Sequence, residues 1–117
     1  MNESLTSEEL LAILTAVGHP LRLRIVAELN GGRVHVSELA RRLGMSRPLL
    51  YMHLDKLEKA GLVNGSLELS ADGKAMKYFE LVPFEVRVTA ETVVSALAED
   101  NRNGNEAQAL DLEESSK

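Results

Sequence analysis

The chain contains neither cysteine nor tryptophan among its 117 residues. Without a thiol there is no disulfide, no thiolate metal ligand and no cysteine nucleophile. Aromatic residues make up only 3% of the sequence, so a core has to be assembled from Leu, Val, Ile, Ala and Met. No apolar run approaches the roughly 18 residues of a membrane span. The opening MNESLTSEEL is acidic where a secretion signal is basic, and the expectation is a cytoplasmic protein. The constellations of catalysis are also missing. The histidines fall in separate elements, and no Ser/His/Asp set, phosphate loop or paired-histidine metal motif appears. Neither an enzyme nor a cofactor is expected.

What is present suits one ordinary globular domain: 44% hydrophobic and 26% charged residues. The net charge of −5 argues against a nucleic-acid partner until its distribution is read. Between His19 and Lys77, ten Lys and Arg stand against six Asp and Glu, whereas from Glu99 onward six acids stand against two bases. The middle is basic and both ends are acidic, which permits a cationic face.

The periodicity then gives the elements. LTSEELLAILTAVG has capping-box spacing at Thr6 and Glu9, then apolar residues at helical intervals. HPLRLRIVAELNGG reads as a second helix, with His19 as its cap, Pro20 in the first turn and Asn30-Gly31-Gly32 at the end. RVHV is short and β-prone. SELARRLG is a third helix, expected to be capped by Ser37 and stopped by Gly44. A fourth runs from Ser46, tolerates Pro48 in its first turn and ends at Gly61, with Leu50, Leu54 and Leu57 facing inward. VNGSLELS and KAMKYFEL flank an Asp-Gly turn and predict a hairpin. FEVRVTAETVVSALAE fits a helix, although its β-branched residues weaken the pattern. Residues 99–117 are polar and acidic and read as a disordered tail behind a domain of residues 1–98.

The third and fourth helices carry the most information. Ala40, Gly44 and Leu50 supply the small residue where two helices cross, the glycine of a sharp turn and the apolar residue facing back. With the hairpin behind them the fold class is mostly α with a small β-hairpin wing, a winged helix-turn-helix. The run from His19 to Leu81 resembles the ArsR-type (arsenic-repressor-like) winged-helix transcription factors. The resemblance rests on HPLRLRIVAEL and on VSELARRLGMSRPLLYMHLDKLEKAGLV, including the His53-Leu54 pair. It implies a homodimer joined through the first and last helices, with the fourth helix in the DNA major groove. That puts Leu10, Ile13, Leu14, Val17, Val86, Ala90, Val93, Val94 and Leu97 at the dimer interface. The family's metal-sensing members carry a Cys-x-Cys pair where this chain has His35 and Ser37, and the segment 84–99 has no histidine. No metal site is expected.

The expected partner is double-stranded DNA. Arg47 heads the reading helix, where it can reach a guanine edge or a phosphate. Ser46, Pro48, Leu49, Tyr51 and Met52 share that outer surface, with Leu49 and Met52 suited to thymine methyls or to packing against neighbouring protein, and Tyr51 offering a hydroxyl and a flat face. Lys56 and Lys59 are candidates for phosphates, Arg41 and Arg42 for backbone anchoring, and Lys74 and Lys77 for a contact from the wing. A protein-interaction module using the Leu49/Tyr51/Met52 face is the alternative. An unidentified small apolar effector between the aliphatic end helices is compatible with the sequence, and so is constitutive DNA binding.

Overall fold

The computed structural model describes residues 5–115, with side chains from 5 to 102. The chain divides into two compact units, Ile13–Phe84 and the pair of segments Met1–Ala12 and Glu85–Lys117. The described elements are α1 (Ser7–Val17), α2 (Pro20–Leu29), β1 (Val34–His35), α3 (Val36–Leu43), α4 (Arg47–Lys59), β2 (Val63–Leu69), β3 (Ala75–Leu81) and α5 (Ala90–Ser115). No single helix among them is long and apolar enough to cross a membrane.

Local chemistry sets most of the helix ends. At α1 the amide of Thr6 donates to Glu9 Oε1 at 3.0 Å and the amide of Glu9 donates back to Thr6 Oγ1 at 3.1 Å, a reciprocal capping box. His19 caps α2, its Nδ1 accepting from the amide of Leu21. Ser46 caps α4, its Oγ accepting from the amide of Leu49. Both helices of the central pair end the same way. Gly44 and Gly61 adopt φ of 62° and 80°, and the amides that follow, Met45 and Leu62, reach back to the carbonyls of Ala40 and Leu57. That six-residue closure needs a left-handed residue, which only glycine supplies without strain.

The cap of α3 is a correction. His35, not Ser37, occupies that position, and its Nδ1 accepts from the amide of Glu38. The reason is nonlocal: His35 is held extended by pairing opposite Tyr78 on β3, so the chain turns helical at Val36 and the imidazole becomes the available acceptor.

The unit Ile13–Phe84 is built on one aliphatic cluster. Ile25 and Leu29 of α2, Leu39 of α3, Leu50, Leu54 and Leu57 of α4, Val63 of β2 and Phe79 of β3 are each 2% exposed or less. Each such side chain contributes about 1.5–3 kcal/mol by leaving water. Three antiparallel strands in the order β1-β3-β2 close one side. The β2–β3 hairpin is in register from Val63 opposite Leu81 to Leu69 opposite Ala75, and its tip turns at Gly73. This is a winged helix-turn-helix, with Ala40 and Leu50 buried on either side of the Gly44 turn.

In the other unit, Ser7 at the start of α1 is bonded to Asp100 of α5: its amide donates to Oδ1 at 2.8 Å and its hydroxyl donates to Oδ2. Leu10 and Ala96 are buried. Helix α5 starts later than the pattern from Phe84 predicts, at Ala90, where Thr89 and Thr92 form their own reciprocal cap. Val86 therefore precedes the helix. The backbone of α5 continues to Ser115, through most of the segment expected as a tail. Residues 106–114 are rich in Ala, Leu and Glu, which favour a helix, whereas Asn101, Asn103, Gly104 and Asn105 do not. Residues 116 and 117 lie outside the described residues.

Candidate nucleic-acid interface

Helix α4 has two faces. Leu50, His53, Leu54 and Leu57 are buried, while Arg47, Pro48, Leu49, Tyr51, Met52, Lys56 and Lys59 are exposed together with the cap Ser46. The inner face fixes the helix against the core, and the outer face is what a duplex can touch. Leu49 and Tyr51 are each 37% exposed and Met52 is 49% exposed. Tyr51 is shared between both roles: its ring meets Phe79 edge-on at 6.2 Å. Lys77 lies over the other part of that wing contact, its Nζ 5.6 Å from the Phe79 ring. Tyr51, Leu54, Asp55, Glu58, Lys77 and Phe79 line a shallow recess of about 280 Å³ between α4 and the wing.

The cations are not equivalent. Arg47, Lys56 and Lys74 are exposed, and among the described residues none of them is in an ion pair. Lys59 pairs with Asp55 one turn back at 3.1 Å. Arg41 and Arg42 of α3 share one carboxylate: Glu38 accepts from Arg41 Nε at 2.9 Å and from Arg42 Nε at 2.8 Å. Hydrogen bonds from Arg41 first, and Arg42 second, hold the Glu38 carboxyl down at about 2, and both guanidinium pKa values rise in return. Glu38 was not among the residues expected here, although its i, i+3 and i+4 spacing to the two arginines is visible in the sequence.

Behind α4 lies a buried polar contact that the sequence did not signal. Arg22 of α2, 8% exposed, donates from Nε to the carbonyl of Ala16 at 2.6 Å, and its Nη1 lies 3.0 Å from His53 Nδ1. A guanidinium can only donate, so Nδ1 accepts and the imidazole is neutral, with its proton on Nε2. The His19 ring is 4.7 Å away. Burial first, then the electrostatic influence of His19, Arg22 and Lys56, pushes the His53 pKa below 6.5.

The residues expected at a dimer interface separate by exposure. Leu10 is buried, while Ile13 and Val17 are half-buried against the core of Ile13–Phe84. Leu14 and Val86 are half-buried, and Ala90, Val93, Val94 and Leu97 are exposed. Leu11, next to Leu10 on α1, is 58% exposed.

Residues 19–65 match the model of the family described as bacterial regulatory protein, arsR family. An HTH-type transcriptional regulator of Methanocaldococcus jannaschii is 35% identical over 78 residues, which cover 67% of this chain and 81% of that protein. The chain belongs to the ArsR family. The biofilm growth-associated repressor of Xylella fastidiosa is 33% identical over 57 residues, 49% of this chain and 50% of the repressor. Among solved structures, NolR from Sinorhizobium fredii superposes with a TM-score of 0.54 at 26% identity, covering 83% of this chain and 85% of that one. Reduced HlyU from Vibrio cholerae gives 0.57 at 26% identity, covering 83% and 90%. This ArsR-family protein is a DNA-binding transcriptional regulator, not an enzyme.

The thiolate metal site of the family's metal sensors does not fit these residues. Of the two corresponding positions, Ser37 is a hydroxyl, and the Nδ1 of His35 is engaged by the α3 amide of Glu38. Among the described residues no group of three or more His, Cys, Asp or Glu gathers in a way that would hold a metal ion.

Proposed function

We propose that the regulator binds a pseudo-palindromic duplex as a homodimer, with α4 in the major groove and the β2–β3 wing on the adjacent backbone or minor groove. The observation that carries this reading is the outer face of α4. A helix locked by three buried leucines presents Arg47, Leu49, Tyr51 and Met52 to solvent at its N-terminal half, the part of a reading helix that meets base edges. Arg47 suits a guanine edge, and Leu49 and Met52 suit thymine methyls. Lys56, Lys59, Arg41 and Arg42 flank that face as phosphate ligands, and Lys74 and Lys77 extend it along the wing. Exposed Val93, Val94 and Leu97 on α5 supply an apolar surface for a second copy. Two reading helices then address half-sites about 34 Å apart.

The apolar character of Leu49, Tyr51 and Met52 favours a second reading, in which the same face docks a protein. Selection of bound DNA from a random duplex pool tests the two. A two-fold symmetric consensus, lost on Arg47→Ala and weakened uniformly on Lys56→Ala, is the expected result. Retention of no duplex at low salt, or equal retention by wild type and both variants, favours the protein partner.

A further inference from the structure

One carboxylate governs the charge of α3. The Glu38 side chain is 26% exposed, whereas those of Arg41 and Arg42 are 72% and 40% exposed. The acid therefore lies beneath and the guanidiniums lie outside it. Arg41 is held through both Nε and Nη2, and Arg42 through Nε, with its Nη1 3.5 Å from Glu28. Two opposed consequences follow. The pairing fixes two flexible side chains in one geometry, which favours a phosphate arriving at their outer edges. It also leaves a negative charge directly behind them, which repels the same phosphate. Exposed ion pairs in water are weak organisers, while a charge that stays in place acts on every backbone contact, whatever the base sequence. The repulsion is the larger effect.

We propose that Glu38 is a specificity-determining residue: it offsets Arg41 and Arg42 so that the regulator holds duplex of arbitrary sequence weakly and depends on the base contacts of α4. This rests on the DNA-binding reading of α3 and α4 and adds to it a residue that makes no contact with DNA itself. Sequence-independent affinity comes from phosphate neutralisation, whereas discrimination comes from base edges. Lowering the first without touching the second widens the gap between operator and other DNA.

The test is titration of a fluorescent duplex of random sequence, between 50 and 200 mM salt, with the full chain. Wild type, Glu38→Gln, Arg41→Ala/Arg42→Ala and the combination of all three changes are compared. Glu91→Gln, an exposed acid in the first turn of α5, alters net charge equally without touching the arginines. Glutamine keeps an oxygen that accepts from Arg41, and thermal melting verifies that each variant is folded. Glu38→Gln is expected to bind about threefold to tenfold tighter at 50 mM salt. Its salt slope should be steeper by about 0.9 for each phosphate newly neutralised. The gain should exceed that of Glu91→Gln and vanish when both arginines are absent. Wild-type binding with Glu38→Gln no tighter, or a gain that survives loss of the arginines, overturns the role of Glu38 alone. If no variant binds duplex at all, the DNA-binding reading falls and this one with it. Should Glu38→Gln melt early, Glu38→Ala, which removes the same charge and favours a helix, is read in its place: the same gain over Glu91→Gln is expected, and no gain overturns the proposal.

Discussion

Nη1 of Arg22 sits 3.0 Å from Nδ1 of His53, and both side chains are buried. The contact joins α2 to α4, and it exists only while the imidazole is neutral.

A pH dependence follows, and its sign is fixed. The folded pKa of His53 lies below 6.5 because burial disfavours the imidazolium, with His19, Arg22 and Lys56 adding to that. The unfolded chain thus binds more protons than the folded one just below pH 6.5. Stability is complete above that value and is lost as the pH falls through the depressed folded value. Chemical denaturation from pH 7.5 to 5 should show a falling unfolding free energy. His53→Gln, whose amide oxygen accepts from Arg22 but does not titrate, should flatten that part of the curve. An unchanged slope in the variant would assign the effect to other groups.

The two faces of α4 should respond differently to truncation. Leu54 is 1% exposed and Met52 is 49% exposed. Leu54→Ala leaves a cavity in the core and should destabilise the fold by about 2–5 kcal/mol. Met52→Ala should leave stability within about 0.5 kcal/mol and weaken binding to the selected operator. Urea unfolding and operator titration on the same two variants separate scaffold from reading surface. Loss of stability in Met52→Ala would mean that its exposed position is misread.

The hairpin contains a position where only a hydrogen fits. Gly65 stands opposite Phe79, and a Cβ there would come within 2.8 Å of Phe79 Cε1 and of Lys77 Cε. The lysine end can move away, but the ring is 2% exposed and packed in the core. Gly65→Ala should therefore destabilise by about 1–3 kcal/mol through overpacking. Because Phe79 also meets Tyr51, the tyrosine signal in a near-ultraviolet spectrum should change. A variant as stable as wild type would show that the ring has room to shift.

What could be read from the sequence was chemistry confined to a few consecutive residues. Thr6 with Glu9, Ser46 and the glycines 44 and 61 each act within one turn, so their spacing alone located helix ends, and Ala40, Gly44 and Leu50 located the crossing. The cap of α3 escaped because His35 is placed by a strand pairing to Tyr78, more than 40 residues away. Arg22 with His53 and Tyr51 with Phe79 escaped for the same reason: the partners meet only after the chain has folded. The candidates Arg47, Pro48, Leu49, Tyr51, Met52, Lys56 and Lys59 were legible as exposed positions on α4, while Arg41 and Arg42 lie on α3 and Lys74 and Lys77 on the hairpin. Their effective charge was not, since Arg41 and Arg42 share Glu38, and Lys59 shares Asp55.

Self-association is the remaining expectation, and α5 gives it a handle. Val93, Val94 and Leu97 follow at i, i+1 and i+4, so they lie on one side of the helix, and Val94 is 65% exposed. Leaving such a stripe in water is unfavourable, and covering it against its own copy removes several apolar side chains at once. A charge at its centre cannot be buried without a partner. Val94→Asp should shift the protein from dimer to monomer in light scattering, with little change in the unit Ile13–Phe84, which holds α4. Binding to a two-half-site operator should then weaken by orders of magnitude, because one protomer holds one half-site alone, while binding to a single half-site stays near the wild-type protomer's. If Val94→Asp remains dimeric, the copies meet through another surface and the α5 stripe has a different occupant.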